Sequence, residues 1–284
     1  MEIATSTLRI SRVADRTAGR LAAIDGVAAV VLGGSRARGE ADELSDVDLG
    51  VYYDAARPFR VADLRALARE LDDRHPPDAV TELGGWGPWI DGGGWLAIEG
   101  VRVDWIYRDL ASVGRHIADC LAGRFSSHHQ PGHPHAFHTH MYMAEVHHGR
   151  ALFDAGGAFA ALQAQTDPYP PALADAIIRA NAWEAGFALE TAAKAAARGD
   201  TFQVAGSLFR SAACLVQTVF ALNRRYYVNE KRAAAAAGSF PRSPEGFART
   251  VAEVLAAPGD GPAALAASLA RMEALVAATR ALTG

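Results

Sequence analysis

Cysteine is nearly missing from this 284-residue chain, in which Cys120 and Cys214 are the only two. Two thiols so far apart cannot organise a disulfide scaffold, and no Cys-x-x-Cys knuckle is present to hold a metal. Long hydrophobic runs are missing too: nothing approaches the stretch of about eighteen apolar residues that a membrane-spanning helix needs. The opening MEIATSTLRISRVADRTAGR carries charges throughout and lacks the apolar segment of a secretory signal. Basic excess is also absent, since 28 Lys and Arg against 32 Asp and Glu leave a formal charge of −4. That balance argues against gripping nucleic acid by counterion release along a basic face. The expectation from these absences is a soluble, cytoplasmic protein with no membrane and no nucleic-acid partner.

What is present is ordinary globular material, 50% hydrophobic and 21% charged, enough for one large domain or two medium ones. The two halves differ in texture. Val27 to Leu32 is an apolar run ending in Gly33-Gly34 and reads as a buried strand, as do 46–52 and 101–107. Val61 to Leu71 has apolar residues at a helical period. Gly84-Gly85-Trp86-Gly87-Pro88 and Gly92-Gly93-Gly94 read as turns or a flexible loop. Beyond about residue 110 the helical period dominates, with helices expected over 171–198, 201–226, 244–256 and 262–282. The fold class is α+β: a mixed sheet with flanking helices over residues 1–115, then an all-α bundle over 116–284.

The chemistry is concentrated in Gly33-Gly34-Ser35-Arg36-Ala37-Arg38-Gly39 and Ser45-Asp46-Val47-Asp48. A glycine turn after a buried strand lets backbone N–H groups approach an anion. Two familiar phosphate loops are excluded: GxGxxG is absent, and Glu40 stands where a Walker loop needs lysine. On a strand, residues two apart share a face. Asp46 and Asp48 therefore point together while Val47, Leu49 and Val51 enter the core, and Asp104 leaves the core face in the same way between Val103 and Trp105. An isolated Asp-x-Asp is usually just a solvated strand face. Three strand carboxylates beside a phosphate-binding turn instead suit a hard divalent ion and in-line phosphoryl or nucleotidyl displacement.

These motifs resemble the signature of the DNA polymerase β-type nucleotidyltransferase superfamily, especially its small-molecule branch of aminoglycoside and lincosamide nucleotidyltransferases. The resemblance spans about residues 27–108 and makes residues 1–115 the nucleotidyltransferase domain, with 116–284 as a helical acceptor-binding domain. It implies that Gly34 and Ser35, with Ser45 and Arg38 nearby, hold the triphosphate of ATP. It further implies that Asp46 and Asp48, joined by Asp104, bind Mg²⁺. Arg36 is less typical and is expected to be exposed. Glu190 and Lys194, four apart on a helix, form a step similar to one in the kanamycin-type enzymes, where it supplies a base and a phosphate contact; the plain alternative is a surface ion pair. The expected reaction is transfer of AMP from ATP to a hydroxyl of a small molecule, aminoglycoside-like antibiotics included, by a monomer or homodimer. Modification of a protein by an antitoxin-like or regulatory adenylyltransferase, and a non-catalytic nucleotide-binding module, are the competing readings.

Three further segments stand out. Asn223-Arg224-Arg225-Tyr226-Tyr227, with Asn229 and Lys231, resembles part of the helical domains attached to such transferases and reads either as a pocket wall or as a helix end enriched in basic residues. Eight of the ten histidines fall between 128 and 148. With no HExxH and no cysteine or paired acid at finger spacing, they read as a polar loop rather than a zinc site. Trp86, Trp89 and Trp95 cluster around the glycine runs and read as core packing at a sheet edge, or alternatively as a stacking lid.

Overall fold

The computed structural model describes residues 2–42 and 45–283. Its strands are β1 (Val27–Leu32), β2 (Val47–Tyr53), β3 (Gly93–Ile98), β4 (Val101–Asp109), β5 (Ser127–His128), β6 (Phe137–His138) and β7 (Arg150–Asp154). The helices of the first part are α1 (Glu2–Ala22), α2 (Gly34–Ala37), α3 (Val61–Leu71), α4 (Leu110–Leu121), α5 (His140–His148) and α6 (Ala158–Gln163). They are followed by α7 (Pro171–Ala197), α8 (Thr201–Leu222), α9 (Ala233–Gly238), α10 (Phe247–Ala256) and α11 (Pro262–Ala281). The chain forms two compact units, Met1–Ala118 with Tyr142–Pro168, and Asp119–Met141 with Tyr169–Gly284. These units interleave, where the sequence pattern suggests one cut near residue 115. The return has a physical reason: β7 pairs antiparallel with β1 and gives that strand its second neighbour.

The first unit is built on a five-stranded sheet in the order β3-β4-β2-β1-β7. β2 and β4 run parallel, and the crossover that parallel neighbours require passes through α3 and β3. Val47, Leu49, Val51 and Tyr53 of β2, with Val103, Trp105 and Tyr107 of β4, point to one face and are buried there. The apolar stripe of α1 (Val13, Ala14, Ala18, Leu21) and that of α3 (Leu64, Leu67, Ala68) belong to the same core. The alternate residues, Asp48 and Asp104 among them, are left on the opposite face.

One element is not assigned above, and one departs from expectation. The charged N-terminal stretch forms α1, whose buried positions recur at three and four residues. Gly93-Gly94, expected in a flexible loop, begins strand β3. A Cβ on Gly93 would stand 1.8 Å from the Trp105 carbonyl oxygen, so only glycine lets the two backbones meet.

The second unit is a helical bundle centred on α7, α8 and α11. Pro171 opens α7 at a position where the missing N–H costs nothing. The Asp200 side chain caps α8 by accepting from the Gln203 N–H at 3.1 Å. Arg280 of α11 donates from Nε and Nη2 to the Ala182 carbonyl of α7, at 3.1 and 2.9 Å. Among the described residues, α8 is the one helix long and apolar enough to cross a membrane by length and composition, and most of it is buried inside the protein. α8 ends at Leu222, four residues short of expectation. Arg224 takes a positive φ of 53°, and Asn223 spends its side chain on the Val219 and Arg242 carbonyls. Tyr226 and Tyr227, just beyond the helix end, are buried in the bundle and line a small cavity with Arg225.

Candidate active site

The site grows from the end of β1. Gly33 donates its N–H to the Asp48 carbonyl at 2.9 Å, and the chain turns immediately into the short helix α2. Gly34 has φ +62°, and a Cβ built there would lie 1.7 Å from Asp48 Oδ2. The turn is therefore pressed against the Asp48 carboxylate, and a side chain at position 34 would occupy the space the carboxylate fills. Asp48 stands directly opposite Asp104 in the parallel β2–β4 ladder, so the two carboxyl groups share one face on neighbouring strands about 5 Å apart. Asp46, just before β2, is 2.5 Å from Arg102 Nε of β4. This ion pair sets the Asp46 carboxylate against the guanidinium of the neighbouring strand.

Arg36 holds this arrangement together. Its Nε donates to the Asp46 carbonyl at 3.0 Å and its Nη2 to the Ser45 carbonyl at 2.5 Å. It is half-buried rather than exposed, because its guanidinium closes the loop between the turn and β2. Arg38 is turned onto Glu40, with Nε 2.8 Å from its Oε2. The Ser45 hydroxyl donates to Asp42 Oδ1 at 2.9 Å and accepts from the Asp42 N–H. The structure thus brings Gly34, Ser35, Arg38, Ser45, Asp46, Asp48 and Asp104 into the turn and strand ends of one unit. The donor set suits a hard divalent cation: it consists of carboxylates, two of them in register on neighbouring strands.

Trp95 lies opposite Asp104 on β3 and shares its face. It is 66% exposed and stacks on Trp86 with ring centroids 4.6 Å apart, which is not the buried packing expected of it. A cavity of about 170 Å³ lies towards the other end of β4, lined by Tyr53, Trp89, Asp91, Arg108 and Tyr142 among others, and it includes none of the three aspartates. Arg108 is buried there in a two-bonded pair with Glu145, both contacts at 2.8 Å. Sequence reading did not single out Arg36, Arg102 or Arg108 for these roles, which emerge only from the folded partners.

Glu190 and Lys194 lie on α7 in the second unit, both exposed and one helical turn apart. Glu184, a further candidate base on that helix, is paired through Oε1 with Arg210. The histidine passage differs from expectation: His138 and His140 are buried, not part of a solvated loop. Their polar atoms are met by Ser127 and Gln217.

Residues 14–85 match the family model of the nucleotidyltransferase domain, and residues 138–231 match that of a domain of unknown function (DUF4037). The first match includes the turn, Asp46 and Asp48, whereas Asp104 lies beyond it and rests on its register with Asp48. Among solved structures, a nucleotidyltransferase-like protein from Exiguobacterium sibiricum 255-15 is similar at 11% identity and a TM-score of 0.45, over 93% of this chain and 73% of that one. No curated protein gives a match.

Proposed function

Because this enzyme carries a nucleotidyltransferase domain of the DNA polymerase β-type superfamily, we propose that it transfers AMP from ATP to a hydroxyl of a small acceptor and releases pyrophosphate. The observation that carries the reading is the contact of the Gly34 turn with the Asp48 carboxylate, in register with Asp104. In this reaction the acceptor oxygen attacks the α-phosphorus, the bond to the bridging oxygen of the β-phosphate breaks, and the hydroxyl proton passes to a base. Backbone N–H groups of the Gly34-Ser35 turn hold the triphosphate, with Ser45 and Arg38 beside them. A divalent cation, which we assign as Mg²⁺, would be held by Asp46, Asp48 and Asp104 and would neutralise the phosphates. Glu190 is assigned as the base and Lys194 as a phosphate contact, roles that rest on the Glu-x-x-x-Lys step alone.

For the acceptor we propose a cationic polyol of the aminoglycoside kind, which would make the protein an antibiotic-modifying enzyme of the cytoplasm, where ATP is supplied. The test is pyrophosphate release from Mg·ATP across a panel of hydroxyl-bearing antibiotics, wild type against Asp48→Asn. Charge stabilisation of several kcal/mol predicts a loss of about a thousandfold. Wild-type turnover by Asp48→Asn would overturn the carboxylate mechanism. Radiolabel from ATP appearing on protein instead of the small molecule would move the acceptor to a macromolecule. Full activity of Glu190→Gln would remove Glu190 from its role.

A further inference from the structure

The second unit contains a set of metal-ligating side chains that nucleotidyl transfer does not use. His135 precedes β6, Glu184 lies on α7 and Cys214 on α8, so three separate segments converge. One donor atom from each falls within 4.8 Å of the other two. We infer that His135, Glu184 and Cys214 form a zinc site with three protein ligands and a fourth position open to water or an exchangeable ligand.

Distance supports the inference. Zinc bonds of about 2.0 Å to imidazole and about 2.3 Å to thiolate, at a tetrahedral angle, separate nitrogen from sulfur by about 3.5 Å. His135 Nε2 stands 3.9 Å from Cys214 Sγ, a few tenths of an ångström from that value. Ligand chemistry selects the ion: a thiolate with an imidazole and one carboxylate suits borderline zinc and not hard Mg²⁺. Arg210 contacts only Oε1 of Glu184, which leaves Oε2 for a cation. The Glu184 side chain is 28% exposed, giving an ion a route from solvent.

The layer behind the ligands is ordered as metal sites require. His135 Nδ1, the ring nitrogen turned away from Cys214, lies 3.4 Å from both His138 Nε2 and the Gln217 side-chain nitrogen. His138 Nδ1 is 2.7 Å from Ser127 Oγ, and Gln217 bridges His138 and His140. Zinc binding at the Cys214 thiol breaks the S–H bond, forms S–Zn and releases one proton per ion to solvent.

The experiment uses the full chain without a histidine tag, loaded with zinc, dialysed, and assayed for metal by mass spectrometry. One zinc per chain is expected for the wild type. His135→Asn and Cys214→Ser should each bind at least about tenfold more weakly, as loss of a ligand demands. Glu184→Gln, a surface-accessible change, tests the same point with little risk to folding, and circular dichroism checks each variant. Cobalt in place of zinc should give thiolate-to-metal charge-transfer absorption that Cys214→Ser lacks. Wild-type protein that retains no zinc, or variants that hold it as tightly as the wild type, would overturn the site. The outcome is independent of pyrophosphate release, so failure here leaves the transferase reading intact.

Discussion

Gly34→Ala separates two demands that one residue meets at once. The first is backbone: φ at position 34 is +62°, where a residue with a Cβ costs about 1–2 kcal/mol. The second is space, because the new methyl would stand 1.7 Å from Asp48 Oδ2. Van der Waals contact needs more than 3 Å between such atoms, so carboxylate or turn must move by about 1.5 Å. A displacement of about 1 Å in a reacting constellation costs about a hundredfold in rate. Gly39→Ala is the matched control, since φ there is +71° and its added Cβ meets nothing within 4 Å. Gly39→Ala should lose about 1–2 kcal/mol in urea unfolding, and Gly34→Ala more, because the clash adds to the backbone cost. Only Gly34→Ala should lose about a hundredfold in pyrophosphate release. Equal activities for the two would refute the claim that the turn and the Asp48 carboxylate share one space.

Three other perturbations follow from contacts outside the turn. Arg36→Ala removes the bonds to the Ser45 and Asp46 carbonyls, and pyrophosphate release should fall about tenfold or more as Asp46 loses its anchor; an unchanged rate would show that the loop is held by other means. Glu145→Gln leaves the Arg108 guanidinium, 4% exposed, without its counter-charge. Urea unfolding should register a loss of about 3 kcal/mol, and a loss under 1 kcal/mol would contradict the buried pair (roughly the value of an exposed one). His140 titrates near 4 when folded because burial disfavours its charged form. The unfolded chain therefore binds the extra proton first, so this contribution is complete above about pH 6.5 and is lost as pH falls towards 4. At pH 5 the loss from His140 is about 2 kcal/mol, and a His140→Gln variant should show a flatter stability profile between pH 7.5 and 5.

The parts of this protein that were legible in its sequence are those whose causes are local. β1, β2 and β4 announce themselves through apolar runs and alternation, and Asp104 could be placed on the carboxylate face from its phase alone. α1 was equally legible, since Val13, Thr17 and Leu21 are buried at helical spacing, but its many charges drew the reading towards what the segment is not. β3 was not legible. Glycine signals a turn in a one-dimensional reading, whereas Gly93 is needed because the Trp105 carbonyl, twelve residues along the chain, lies directly against it. The histidines misled for a related reason. A run of polar rings reads as solvated until Gln217, about eighty residues downstream, is seen to satisfy them.

The carboxylates themselves show how precision is divided between sheet and loop. Asp48 belongs to β2, which is paired on both sides by β1 and β4, so its backbone is fixed by two ladders and its side chain by the Gly34 turn. Asp104 has the same protection on β4, between β2 and β3. Asp46 lies outside the ladder and owes its place to Arg36 through its backbone and Arg102 through its side chain. Rigid strands hold a reacting geometry more tightly than loops do. The two arginines are the means by which a loop-borne carboxylate is brought to the standard of its strand-borne partners, Arg36 through the Ser45 and Asp46 carbonyls and Arg102 through an ion pair with the Asp46 carboxylate.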